Sequence, residues 1–371
     1  MITAVSRPDL LGCSPEEAAR ALADYFAARG QPAYRVRQVL AWLYEKLAFS
    51  FVGMTDLPRA EREALAEAFS LSAPETAKLS RSVDGTTKHL WKLADGELIE
   101  SVLIPARERL TLCISSQAGC AMACTFCATG WMGYQRQLTA GEIVAQYRGA
   151  QVWALENGYG PITNIVFMGM GEPLMNPRAV FPALELLNQA YGVGARRITV
   201  STVGIVPGIL RMAEMPQQYR LAVSLHAPTH ELRQQLIPVE KKYPLPRLME
   251  ALRAFDEAGG KRITFEYVMI DGVNDGLAEA DALAELVREF KAFVNLIPFN
   301  PIPANDWRPT PPDRLAAFAQ RLARRGVTAH VREPRGRDIA AACGQLKAEA
   351  TRGRPLVKLG SSLKTAASEL A

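Results

Sequence analysis

Residues 110–135 read LTLCISSQAGCAMACTFCATGWMGYQ, and this stretch decides the fold. Its first six residues, Leu110 to Ser115, make a short apolar run of the kind that forms a buried β-strand. The run feeds three cysteines, Cys120, Cys124 and Cys127, spaced C-x3-C-x2-C, with Cys113 seven residues ahead of the first. None of the 26 residues is Asp, Glu, Lys, Arg or His. The stretch is long enough to cross a bilayer, but its glycines, its threonines and the run Ser115-Ser116-Gln117 make it too polar for lipid. It reads as a buried site at the end of a strand.

Downstream, short β-rich runs alternate with helical ones. Further strands are expected at 164–168, 197–201, 221–224, 263–269 and 294–298, giving six with the first. Helices are expected between them, such as 139–156, opened by a Thr-x-x-Glu capping box, and 245–258, closed by Gly259-Gly260. Six βα repeats imply a parallel sheet with right-handed crossovers, a partial or complete (βα)6 barrel within an α/β fold. Chemistry in such folds sits where strands end. Here five of the six strand ends carry an unusual motif: the cysteines, Gly169-Met170-Gly171-Glu172-Pro173, Ser201-Thr202-Val203-Gly204, Ser224-Leu225-His226-Ala227-Pro228 and Asn300-Pro301. One rim is expected to gather them.

Upstream, residues 1–70 read as a helical accessory domain. Ser14-Pro15-Glu16-Glu17 is a capping box with proline at the first helical position, and Gly30 marks the stop. Residues 71–105 switch to period two around Asp84-Gly85 and Asp95-Gly96, a β-meander linker. The core is then expected over 106–340, with a C-terminal segment over 341–371. No basic-then-apolar leader opens the chain, so a cytoplasmic protein outside the membrane is expected. There, close cysteines serve metals or redox chemistry more often than structural disulfides. The net charge of +5 is uneven: Arg308 to Lys364 holds 13 Lys or Arg against 4 Asp or Glu, which suits either a polyanionic partner or a solvated surface of helical arginines.

Three thiolates in one loop suggest a metal centre with an open position. A zinc site completed by Cys113, Cys343 or a histidine is the alternative, and with it a non-enzymatic RNA-binding protein.

Cys120-Ala-Met-Ala-Cys124-Thr-Phe-Cys127 at the end of a first barrel strand resembles the signature of the radical S-adenosylmethionine (SAM) enzymes. The resemblance implies a [4Fe-4S] cluster held by these three cysteines, its fourth iron chelated by SAM, which is cleaved to a 5′-deoxyadenosyl radical. More closely, SSQAGCAMACTFCATG, FMGMGEPLMN, VSTVGIVP, SLHAP, EYVMIDGVND, NLIPFNP and DIAAACGQL, in this order, are similar to the RlmN-type adenine C2-methyltransferases. The similarity covers nearly the whole chain. It implies methylation of adenosine C2 in 23S rRNA, in the peptidyl transferase region, and in tRNA next to the anticodon. Two SAM molecules serve each turnover in that family, with an electron donor such as flavodoxin, and a monomer is expected.

By the same resemblance Cys343 carries the methyl group, Cys113 releases the RNA by a transient disulfide with Cys343, and Glu100 accepts the C2 proton. Gly171, Glu172, Ser201, Ser224, Leu225, His226 and Asn300 match residues that contact SAM. Read alone, Cys343 could be a small buried hydrophobe and Glu100 an exposed strand carboxylate. Arg335 and Arg337 could favour a Cys343 thiolate if they pack close. The rival within the superfamily is a Cfr-type adenine C8-methyltransferase, against which Pro173 speaks.

Overall fold

A computed structural model describes residues 7–259 and 262–347. Residues 348–371, and with them the last part of the basic segment and of the C-terminal segment expected from the sequence, lie outside the described residues.

The chain begins with three helices, α1 (Pro15–Ala28), α2 (Tyr34–Tyr44) and α3 (Arg59–Ala68). The capping box forms as written: the Ser14 hydroxyl accepts from the Glu17 N–H at 3.1 Å, and the Glu17 carboxylate accepts from the Ser14 N–H at 2.8 Å. Ala18, Leu22 and Phe26 fall on one face of α1 and meet Val39, Leu43 and Leu65 in a small core of their own. The fully buried Arg148 fastens this unit to the larger one. Its guanidinium donates to the carbonyls of Leu43 and Ala48 and, at 3.0 Å, to the Tyr191 hydroxyl, and it faces the Phe49 ring. Leu43 is in the last turn of α2, where unpaired carbonyls and the negative end of the helix dipole both favour a cation.

Strands β1 (Glu75–Arg81), β2 (Thr87–Lys92) and β3 (Leu98–Ala106) form the meander, with Gly85 and Gly96 at φ of 85° and 88° in its two turns. Next come β4 (Arg109–Cys113) and a small hairpin, β5 (Gln117–Gly119) with β6 (Tyr134–Gln137), enclosing the short helix α4 (Ala128–Met132). The alternation then runs α5 (Ala140–Glu156), β7 (Asn164–Phe167), α6 (Pro177–Glu185), β8 (Ile198–Thr202), α7 (Val206–Glu214) and β9 (Arg220–Ser224). It continues with α8 (His230–Leu236), α9 (Leu245–Glu257), β10 (Ile263–Met269), α10 (Leu277–Val287), β11 (Phe293–Pro298), α11 (Pro312–Arg324) and β12 (Ala329–Val331).

Apart from the β5–β6 hairpin, the described strands make one sheet in the order β1-β2-β3-β4-β7-β8-β9-β10-β11-β12, parallel from β4 onward. Among the described residues no pairing joins its two edges, so the barrel is partial. The six expected strands are all present, and α5 opens on the Thr139–Glu142 capping box. Two features differ from the sequence reading. The meander is not a separate bridge but the antiparallel wing of the same sheet, since β3 pairs with β4, Val102 opposite Cys113. Both faces of β3 are buried, so it needs a strand beside it. A seventh parallel strand, β12, extends the sheet at its far edge; three residues are too few for a periodic signal. No helix among the described residues is long and apolar enough to cross a membrane.

Replacing Arg148 by Met should lower stability by about 3 kcal/mol, because the buried Leu43 carbonyl and the half-buried Ala48 carbonyl both lose a charged donor, worth roughly 1.5–3 kcal/mol where burial is complete. Urea unfolding reads this, and a change within about 0.5 kcal/mol, as at an ordinary surface site, would contradict the docking role.

Candidate active site

The β5–β6 hairpin shapes the cysteine loop. Gly119 has φ of 77°, and a Cβ there would lie 2.0 Å from the Gly133 carbonyl, so only glycine permits the turn into Cys120. The Cys120 N–H then donates to that carbonyl at 2.9 Å. Farther along, the Thr125 N–H donates to Leu236 at 3.1 Å, while the Thr125 carbonyl accepts from the Trp131 indole at 3.0 Å and from Asn305 at 2.9 Å. Trp131 is thus committed to holding the loop. Cys120 and Cys124 are buried and Cys127 half-buried. Burial pushes the Cys120 and Cys124 thiols well up from their ordinary range. Thiols so placed ionise only beside a cation, and the uncharged loop supplies none of its own.

All three cysteines line one cavity of about 920 Å³, its open mouth included. The strand ends supply the rest of its wall: Gly171 and Glu172 after β7, Ser201 in β8, Ser224 and His226 at the end of β9, Asn300 after β11, and Cys343 with Gly344 from the C-terminal segment. Of the residues singled out in the sequence, ten therefore share this wall, and Leu225, Glu100 and Cys113 do not. Leu225 turns its side chain into the core. Cys113 is buried between β3 and β7, and Glu100 is buried in β3. Among the described residues no three His, Cys, Asp or Glu side chains are gathered as a single metal ion would require.

Electrostatics differ around this wall. The Glu172 carboxylate accepts from the backbone N–H groups of Leu174 at 3.1 Å and Val203 at 2.8 Å, tying the β7 and β8 loops together. Desolvation outweighs these bonds and pushes its carboxyl up to about 7. Gly171, at φ of 98°, packs so tightly that a Cβ would come within 2.6 Å of Gln117. His226 is held neutral, its imidazole pushed down to about 3 first by burial and then by Arg233. Its Nδ1 accepts from the Val268 N–H at 3.0 Å, so its one proton is on Nε2. Arg233, fully buried, pairs with Glu240 and donates to the carbonyls of Val203 and Leu225, bracing the β8 and β9 loops from behind.

The segment carrying Cys343 is a strap across the rim. The Asn300 amide donates to the Cys343 carbonyl at 3.0 Å, while its oxygen accepts from Arg337 at 2.8 Å. The Ala128 N–H, at the start of α4, donates to Gly344 at 2.7 Å, and the Thr129 hydroxyl to Leu346 at 2.7 Å. On the other side the Ser82 hydroxyl donates to Asp338 at 2.6 Å and the Gly336 N–H to Asp84 at 3.0 Å. Lys88 links the strap to β3: its ammonium pairs with Glu100 at 3.0 Å and donates to the Ala340 carbonyl at 3.1 Å. Cys343 is exposed through the cavity it lines and otherwise surrounded by protein, which raises its thiol. All six cysteines are free, so the Cys113–Cys343 disulfide expected as a catalytic state is not formed in this structure, although Cys343 is among the groups that raise the Cys113 thiol.

Two charged residues at the rim were not singled out in the sequence. Arg332, not Arg335 or Arg337, is the arginine whose charge lowers the Cys343 thiol, and Arg337 is taken up by Asn300. Glu266, 4 % exposed, lines the cavity from β10. Its signal was available, as the one charged residue in ITFEYVM, a strand buried at every position. The basic segment is also less basic than its count: Arg314 pairs with Asp271 and Asp275, and Arg321 and Arg325 with Asp281, acids that precede it in the chain.

Comparison with known proteins agrees with this site. Residues 114–287 match the Radical SAM superfamily, and residues 9–71 the Ribosomal RNA large subunit methyltransferase N-terminal domain. A Gemmatimonas aurantiaca protein named "Probable dual-specificity RNA methyltransferase RlmN" is 50% identical, covering 98% of this chain and 97% of its own. The "Dual-specificity RNA methyltransferase RlmN" of an Anaeromyxobacter strain is 48% identical over 94% of this chain and 93% of its own. A crystal structure of a radical SAM methyltransferase from Sphaerobacter thermophilus superposes with a TM-score of 0.87 at 46% identity, covering 92% of this chain and 99% of that one. With identity of this order over nearly its full length, the chain belongs to the RlmN family of the radical SAM superfamily.

Proposed function

We propose that this protein methylates C2 of an adenosine in 23S rRNA, in the peptidyl transferase region, and in tRNA next to the anticodon, with Cys343 as the residue that carries the methyl group. The observation that carries the reading is that Cys343, the three loop thiols and Glu172 line a single cavity. The relatives' names support RNA as the substrate class. The superfamily's cofactors are a [4Fe-4S] cluster and SAM. The donor set fits them: three soft thiols on an uncharged loop leave one iron open, and a carboxylate stands on the same wall for the amino group of SAM.

Cys120, Cys124 and Cys127 would hold the cluster, and Gly171, Glu172, Ser201, Ser224, Leu225, His226 and Asn300 would contact SAM, Leu225 through its backbone. When bound, the pair supplies the hydrogen abstraction that a carbon as electron-poor as adenine C2 requires. The chain's own residues do the rest. Glu172, fixed by two backbone N–H groups, would orient the amino group of SAM. Asn300 and Gly344 hold Cys343 facing into the cavity by bonds to backbone, which leaves the sulfur free to take the methyl group. Cys113 frees the RNA from its covalent link to Cys343: its sulfur bonds to the Cys343 sulfur, the bond from that sulfur to the methylene on adenine breaks, and the methylene takes a proton to become the methyl group; Glu100 accepts the C2 proton, with Lys88 joining that carboxylate to the Cys343 strap. An adenosine inside folded RNA must first be extruded, so the enzyme acts on RNA outside a closed duplex. A flavodoxin-like donor supplies electrons to a monomeric, cytoplasmic enzyme.

Digestion of RNA after reaction with the reconstituted enzyme should release 2-methyladenosine, and 8-methyladenosine in its place would assign the chain to the Cfr-type reaction. Cys113→Ala should accumulate a covalent protein–RNA adduct by mass spectrometry; free RNA methylated at the wild-type rate would remove Cys113 from the mechanism. SAM binding should weaken as pH falls below about 7, where Glu172 gains a proton and is a poorer acceptor for the amino group of SAM, by up to about tenfold per pH unit. Equilibrium dialysis at two pH values checks this, and the dependence should vanish in Glu172→Gln.

A further inference from the structure

Glu266 occupies the middle of β10, level with Ser224 on β9 and Asn295 on β11. One carboxylate oxygen is satisfied: Oε1 accepts from the Asn295 amide at 2.7 Å and the Thr264 hydroxyl at 3.3 Å. The other is not. Oε2 is buried and accepts no hydrogen bond; its partner is the Arg332 guanidinium, in an ion pair at 3.6 Å. A buried carboxylate one of whose oxygens is held by a long ion pair alone is costly, and a core that needed only packing at this position would be as stable with an apolar side chain. The expense coincides with the cavity, which Glu266 lines together with Cys343, Asn300 and Gly344.

The same neighbourhood surrounds the Cys343 thiol. The charged and titratable groups that act on it are Arg332 after β12, Glu266 on β10, Cys127 in the loop and Cys113 on β4. Among these Glu266 is the one carboxylate, and its Oε2, which accepts no hydrogen bond, has acceptor capacity left. A thiol that takes a methyl group from a sulfonium must lose its proton as it does so, and a cysteine already raised by burial does not ionise unaided at neutral pH.

We propose that Glu266 is the proton acceptor for Cys343 when Cys343 is methylated, a role that rests on the reading of Cys343 as the methyl carrier. The S–H bond of Cys343 breaks and its proton passes to Glu266 Oε2. The sulfur electron pair forms the new S–CH3 bond, and the methyl–sulfonium bond of SAM breaks with its pair left on the departing sulfur, now a neutral thioether. Neither oxidant nor reductant enters the step. Arg332 is a positioning residue: its charge faces both the carboxylate and the thiol, and it is fixed by its backbone N–H donating to Leu296 at 2.9 Å.

The test follows methyl uptake on Cys343 by peptide mass spectrometry in the anaerobically reconstituted enzyme mixed with SAM and no RNA, alongside iron and sulfide content. Glu266→Gln should keep the cluster and take up methyl about 100-fold more slowly, the loss typical of a missing general base. Glu266→Ala should be equally slow and should recover in proportion to added formate, which a merely structural residue would not allow. Wild-type uptake in either variant, or an alanine variant that formate does not accelerate, overturns the proposal. Absence of methyl on Cys343 in the wild-type enzyme is a different failure, that of the carrier reading itself.

Discussion

The rim depends on one hydrogen bond between distant parts of the chain: the Ala128 N–H, just after the last loop cysteine, donates to the carbonyl of Gly344, just after Cys343. It joins the metal-binding type of loop to the residue that faces it, and every other fastening of the strap serves the same juxtaposition. Asn300 holds the carbonyl of Cys343, Lys88 that of Ala340, and Asp84 the N–H of Gly336. These are bonds to backbone, so the strap is held in place while the Cys343 sulfur stays uncommitted. The fold meets this constraint with its wing: the meander beside β4 brings Ser82, Asp84 and Lys88 to the strap.

Burial shapes the chemistry of the site in one consistent direction. Desolvation raises the thiols of Cys113, Cys120, Cys124 and Cys343 and the carboxyls of Glu172 and Glu266, and it lowers the imidazole of His226. Each group is thereby poised to respond to a charge brought in by what binds. A site so dry would be unfavourable for stability alone; hydrogen bonds hold both oxygens of Glu172 and one oxygen of Glu266 in place.

Much of this was legible in the sequence, because it is written locally. The Ser14 and Thr139 capping boxes, the Asp-Gly turns and the alternation of apolar runs with helical ones depend on residues within a few positions of one another. The rim motifs were legible for the same reason, each following its own strand. Relations across the sheet were not. Glu266 is locally one acid in an apolar strand, and only its neighbours from β11 and the segment after β12 give it meaning. Likewise the arginines at 314, 321 and 325 count as free charge until acids some 40 residues earlier come alongside them. Strand β12, three residues long, is recognisable only by its pairing with β11.

Cys343 as the methyl carrier is the claim on which the rest turns, and following the methyl group itself tests it most directly. The reconstituted enzyme would be charged with methyl-labelled SAM, freed of it, and then given RNA with unlabelled SAM. The label should reside on the Cys343 peptide before RNA is added and pass from there to C2 of adenosine in the first turnover. Label that never enters Cys343, or adenosine that carries only the unlabelled methyl in that first turnover, would contradict the account.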